Sequence, residues 1–315
     1  MIDFRYHVVS IVAVFLALAL GLFLGSTTLQ GAVFNDLSKR ADKLEKDKSA
    51  LVSQVDQLDA QLSADRQYDD LIEPYAVEGR LSGQLVVVIS TPGTSGDART
   101  HMIATLEAAG ATVTADVRLQ NAIVDPQQDA FLTTLTSHIS IPGRPVPTGS
   151  GAERAAAQLA DIFGVRPQSR PVPDATMQTV LATYTDGNLV AVPALRGASP
   201  RPGTVAVVLT GPAPTTRTPS AGALAEQTFV GDLAHDLDTT SLGVVVASPT
   251  PQSGQSTDIA SAVASTLGTS VSTVHGIERS TGRVATVFAL ADQVNGRSGA
   301  YGVTPGSTPL PTPSP

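Results

Sequence analysis

The 315-residue sequence contains no cysteine and no tryptophan. Without cysteine there is no disulfide, no thiolate catalysis and no Cys-based metal centre. An exported protein can also lack cysteine, so the compartment stays open. Aromatic residues make up 4% of the chain, too few for stacking platforms that hold bases or sugars. Charged residues are 15% and the net charge is -8, so a phosphate backbone is repelled overall and nucleic acid is excluded as a partner class. Lysine is missing after Lys48: Lys39, Lys43, Lys46 and Lys48 lie within ten residues, and every later cation is arginine. That asymmetry reads as genome composition rather than function.

What is present is a hydrophobic content of 42%, with 27 Gly and 22 Pro. This suffices for a sizeable core with many turns, in one large domain or two ordinary ones. Residues 6–35 contain no Asp, Glu, Lys or Arg, and residues 8–24 (VVSIVAVFLALALGLFL) are apolar except for Ser10 and Gly21. At 1.5 Å per residue this run gives about 25 Å of helix, and the next few residues extend it to the roughly 30 Å of a hydrocarbon core. It predicts a transmembrane anchor over residues 1–32, with Val8, Phe15, Leu16, Leu20 and Leu24 facing lipid. The alternative, a cleaved signal peptide, calls for a basic start, a shorter apolar core and an A-x-A-like site; here the start holds one Arg, Arg5, the apolar run is long and no good A-x-A-like site follows, which favours the anchor. Counting cations near the anchor favours a cytoplasmic C-terminus. However, Lys39, Arg40, Lys43, Lys46 and Lys48 begin about 15 residues beyond it, and long domains cross membranes largely regardless of charge. We read the C-terminal part as extracytoplasmic.

A heptad pattern follows over residues 33–73. With Leu37, Leu44, Leu51 and Leu58 at position d, position a is Phe34, Ala41, Lys48, Val55 and Leu62. Four leucines in consecutive d positions predict a coiled coil, either a parallel homodimer or a pairing with a partner protein. In a parallel dimer Arg40 at g faces Glu45 at the partner's e, and Lys48 at a fixes register at some cost in stability. The alternative is a single amphipathic helix packed on its own domain. The seam fades at Asp65 and Asp69, and Glu73-Pro74 is expected to end the helix.

Beyond Gly79 short β-branched runs alternate with helical stretches. Residues 85–89 (LVVVI), a turn, a helix over 97–109 and a strand over 112–117 form a βαβ unit. A second round runs through strands at 204–209, 242–247 and 271–274, with helices at 221–237, 258–267 and 284–294. The pattern predicts an α/β class protein: a doubly wound, mostly parallel, Rossmann-like domain over residues 80–295. Residues 296–315 are expected to be a disordered tail.

No chemistry stands out in that domain. The loop after the first strand (TPGTSGD) lies where doubly wound folds bind ligands, but it has neither G-x-G-x-x-G nor a Gly-Lys-Ser/Thr phosphate cradle. Its Asp97 reads as a helix cap. The five histidines, His7, His101, His138, His235 and His275, are scattered, and His101 and its neighbour Met102 point about 100° apart on a helix. No G-x-S-x-G elbow follows a strand. No catalytic, cofactor-binding or metal-ligating residue is assigned, and a non-enzyme is expected.

The N-terminal run Met1-Ile2-Asp3-Phe4-Arg5-Tyr6-His7-Val8-Val9-Ser10, continuing to Gly21, resembles the start of the actinobacterial copper transport outer membrane protein family typified by mycobacterial MctB. Gly282-Arg283-Val284-Ala285-Thr286-Val287-Phe288-Ala289-Leu290-Ala291, followed by Gly299-Ala300-Tyr301-Gly302, is similar to that family's C-terminal signature. The resemblance implies a cell-envelope protein linked to copper efflux or homeostasis, with copper ions as a possible partner, described for the family as a channel-forming outer-membrane component. With three Met and no Cys, no copper ligand is carried over onto a position of this chain. Relatives of the same family are also connected with cell division. The alternative function is therefore a coiled-coil scaffold regulating peptidoglycan hydrolysis at the septum.

Overall fold

The computed structural model describes residues 4–216, 218–252, 254–268, 270–302 and 308–311, with the backbone alone for residues 4 and 26–36. The chain divides into two compact units, residues 1–65 and 66–315. Helix α1, Phe4–Val77, provides all the described structure of the first unit and the opening turns of the second. Its sequence is rich in Leu, Ala, Lys, Asp and Gln and holds no proline before Pro74, so little opposes helix over a long stretch.

The helix does not end at Glu73-Pro74 as the sequence suggests, but continues to Val77. A proline in the last turn forfeits one backbone bond and disfavours helical geometry in the residue before it. Here that residue, Glu73, is buried and its carboxylate is bonded to Arg283 and Thr105. Val77 and, past the turn at Gly79, Leu81 are buried in the core. Tertiary packing thus overrides the local signal.

The second unit continues with β1 (Leu85–Ser90), α2 (Gly96–Ala108), β2 (Thr112–Leu119), α3 (Asn121–Val124), α4 (Asp129–Ser137), α5 (Gly151–Phe163), α6 (Asp174–Asp186) and β3 (Val190–Ala191). Its second round is β4 (Val205–Leu209), α7 (Ala221–Thr240), β5 (Val244–Ser248), α8 (Ile259–Leu267), β6 (Ser272–His275), α9 (Ser280–Val294) and β7 (Ala300–Gly302). The strands form one sheet in the order β3-β2-β1-β4-β5-β6-β7. All neighbours are parallel except β2 and β3.

The β-branched runs are buried on both faces because successive side chains point to opposite sides of a strand. Val87, Ile89, Ala206, Val208, Val244 and Val246 join a core with α5, α6 and α7. Val86, Val88, Val205, Val207, Leu209 and Val245 join another with α2, α9 and the end of α1. This is the doubly wound α/β architecture that the alternation of elements predicts, with its switch point between β1 and β4.

Two edges depart from expectation. The two-residue β3 is antiparallel and had no sequence signal. Disorder from residue 296 is corrected at Ala300–Gly302, which pairs with β6, while Thr308 bridges back to Tyr301. Backbone hydrogen bonds to an open sheet edge, with burial of Tyr301, order a segment whose composition is otherwise poor in apolar residues.

Candidate functional site

Three places on the chain carry chemistry. The first is the apolar part of α1. Arg5–Gly25 has a mean hydropathy of 2.8 and none of it is buried within the protein. Among the described residues it is the one helix long and apolar enough to cross a membrane. Val8, Phe15, Leu16, Leu20 and Leu24 are all exposed there. The heptad residues Leu37, Leu44, Leu51, Val55, Leu58 and Leu62 are exposed as well, by 48–71%. The backbone around Phe34 is helical, but its side chain lies outside the described residues.

The second is a polar cleft of about 400 Å³ in the C-terminal unit, lined by Asp70, Glu73, His101, Thr105, Glu278 and Arg283 together with small residues. Its floor is a buried ion pair. Arg283 near the start of α9 donates from Nε to Glu73 Oε1 at 2.9 Å, and from Nη2 to the other Glu73 oxygen and to Asp70 Oδ1 at 3.1 Å. Burial alone would lower the pKa of this guanidinium; the Glu73 and Asp70 carboxylates outweigh burial and raise it. Gly282 is what lets α9 start so close to the preceding loop, since a Cβ there would lie 2.1 Å from the Gly276 carbonyl oxygen. The cleft thus gathers three carboxylates against one guanidinium. It repels anions and accepts hydrogen-bond donors or positive charge.

The third is the crevice at the switch point. It is narrow, about 190 Å³, lined by Pro92, Gly93, Gly211, Pro212, Glu226 and Asp258 among others. The two loops above β1 and β4 close on each other. Thr94 Oγ1 donates to the Leu209 carbonyl at 3.1 Å, and a Cβ at Gly211 would lie 3.0 Å from the Gly93 carbonyl carbon. Burial raises the pKa of Glu226, although a hydrogen bond with Thr91 opposes it. The crevice is walled by proline and carboxylates and has no Lys or Arg among its lining residues.

Beside it, Asp258 caps α8 and meets His275 at the end of β6. Its Oδ1 is 3.0 Å from His275 Nε2 and accepts from Ser261 N at 3.0 Å, while Ser261 Oγ donates to Oδ2 at 2.8 Å. Burial would raise the Asp258 carboxyl, but these bonds outweigh it and hold it below the usual value. The ionised carboxylate only accepts, so the hydrogen between the two lies on Nε2. That Nδ1 is buried with no hydrogen-bond partner. Ser, His and Asp meet here without forming a catalytic triad, because one nitrogen faces both partners and Ser261 gives its proton to Asp258.

Among the described residues no group of three or more His, Cys, Asp or Glu is placed to hold a metal ion. Sequence reading missed the Glu73–Arg283 pair, whose members are 210 residues apart. Gly282-Arg283 inside the C-terminal signature was its one visible trace. It also missed Asp258 with His275, because a helix cap and a strand end show no shared spacing. His101 and Met102 do diverge as expected: Met102 is fully buried, whereas His101 lines the cleft.

Set beside known proteins, residues 1–312 match the family described as copper transport outer membrane protein, MctB. The chain belongs to this family. Relatives named copper transporter MctB from Mycobacterium bovis and Mycobacterium tuberculosis are 28% identical over 98% of this chain and 98% of their own. The relative of that name from Mycobacterium leprae is 27% identical over 99% of this chain and its full length. The match spans the apolar helix, the heptad segment and the α/β unit of this chain.

Proposed function

We propose that this protein serves copper transport or homeostasis at the cell envelope, held by a single N-terminal span. The observation that carries the reading is the family match over residues 1–312 joined to the exposed apolar helix at Arg5–Gly25. Residues 1–32 act as the anchor, 33–73 as a self-associating coiled coil, and 80–295 as a non-enzymatic α/β domain on the extracytoplasmic side. Copper is cargo in this reading, not a resident cofactor. The polar cleft, with its three carboxylates, is the feature of the α/β unit that a cation would meet.

The septal scaffold reading gains nothing from the relatives above, each of which carries the copper transporter name. The test is a deletion strain of the source organism grown in graded copper. Raised intracellular copper and sensitivity, rescued by the full gene but not by one lacking residues 83–295, are the expected result. Unchanged copper content and tolerance would overturn the reading. A reporter fused after residue 80 and probed in intact cells tests the side on which the domain sits.

A further inference from the structure

We infer that residues 37–62 bind a second copy of this chain as a parallel, in-register two-stranded coiled coil, its register set by Lys48 of each chain against the partner's Asp47. The inference rests on the self-association proposed above and specifies its geometry. It starts from the apolar residues of this segment. Leu37, Leu44, Leu51, Val55, Leu58 and Leu62 form a narrow a/d stripe and are exposed, so the chain itself does not cover them. A stripe this narrow is the width of a coiled-coil seam, not of a helix that lies on a globular core.

The occupant follows from charge and from the anchor. In a parallel pair an a-position side chain packs beside the partner's preceding g position, and g reaches the partner's following e position. Lys48 at a has Asp47 at g immediately before it, so in register each lysine meets the partner's aspartate. Arg40 at g likewise meets the partner's Glu45 at e. Shifting the register by one heptad puts Lys48 beside the partner's Gln54 or Arg40 at g, and loses the match. Two chains anchored through Arg5–Gly25 in one membrane with one topology also enter the seam side by side, which sets the helices parallel. Val55 at a, leucine at every d from 37 to 58 and a single charged a position all favour two strands over three. Ala41 at a keeps the backbones close near the start of the seam.

The chain's lack of cysteine makes the test direct, because one introduced thiol is the only one present. Full-length Leu51→Cys, Leu44→Cys and Ser53→Cys variants are reconstituted in liposomes, oxidised, and run without reductant, with the unmodified protein sized by light scattering in detergent. A dimer mass with disulfide-linked dimers for the two d-position variants, and at most a tenth as much for Ser53→Cys on the outer face, is expected. Asp47→Lys should weaken association about tenfold, and adding Lys48→Glu should restore it. A monomer mass overturns both this inference and the self-association it rests on. A dimer that cross-links equally at positions 51 and 53, a trimer mass, or a Lys48→Glu rescue that fails overturns the geometry alone.

Discussion

The valines of α1 and those of β1 are the same side chain in opposite surroundings. Val9 is 66% exposed, whereas Val86, Val87 and Val88 are fully buried. Burying such a side chain is worth about 1.5–3 kcal/mol. In the sheet the chain collects that energy from its own helices on both faces. Along the described anchor and heptad residues of the N-terminal unit the large apolar side chains are exposed, and on the reading proposed above that energy comes from lipid and from a second chain. One region is therefore stable through its own packing, and the other, on the proposal above, through what it associates with.

The largest expected effect strikes the self-sufficient region. Arg283→Met leaves Glu73 buried without its partner and should cost about 3–5 kcal/mol, read as a lower unfolding temperature of the full-length protein by circular dichroism. Adding Glu73→Leu should recover most of the loss, and failure to do so would mean that the pair matters for more than its charge balance. Next in size, Leu233→Ala empties a fully buried position in α7 and should cost about 2–5 kcal/mol without changing the oligomer. Leu44→Asp with Leu51→Asp should do the reverse, abolishing association while the unfolding of the α/β unit stays put. Coupled losses in either variant would break the contrast between the two regions.

A smaller cost, about 1–3 kcal/mol, is expected for Gly282→Ala, since the new methyl meets the Gly276 carbonyl in a packed interior. The smallest effect is a pH slope. The Asp258 carboxyl is held below its usual value, so its contribution is fully present above the unfolded pKa and is lost as pH falls through the folded one. Thermal unfolding followed from pH 6 down to 3 should show this loss, and Asp258→Asn should be less stable at pH 6 and flatter over that window. A variant as steep as the parent would remove Asp258 from the account.

The long apolar helix and the parallel-strand runs were legible because each is a pattern among chain neighbours: an unbroken apolar run and a β-branched stretch. The same habit misjudged Pro74, where the local rule was sound but Arg283 and Thr105 hold Glu73 in helix. It also passed over β3 and β7, since strands of two and three residues are too short to show a period and exist only because a sheet edge accepts them.

Residue order alone therefore marked the long helices and the central buried strands, the apolar run long enough to cross a membrane, and the absence of thiol chemistry. It also carried, at its two ends, the family signature. Folding in three dimensions added the rest: the closing of the switch-point crevice by Pro92 and Gly211, the cleft floored by Glu73 and Arg283, and the bare nitrogen of His275. Those features join residues far apart along the backbone, and their meeting depends on how layers pack around the sheet, which no local periodicity encodes.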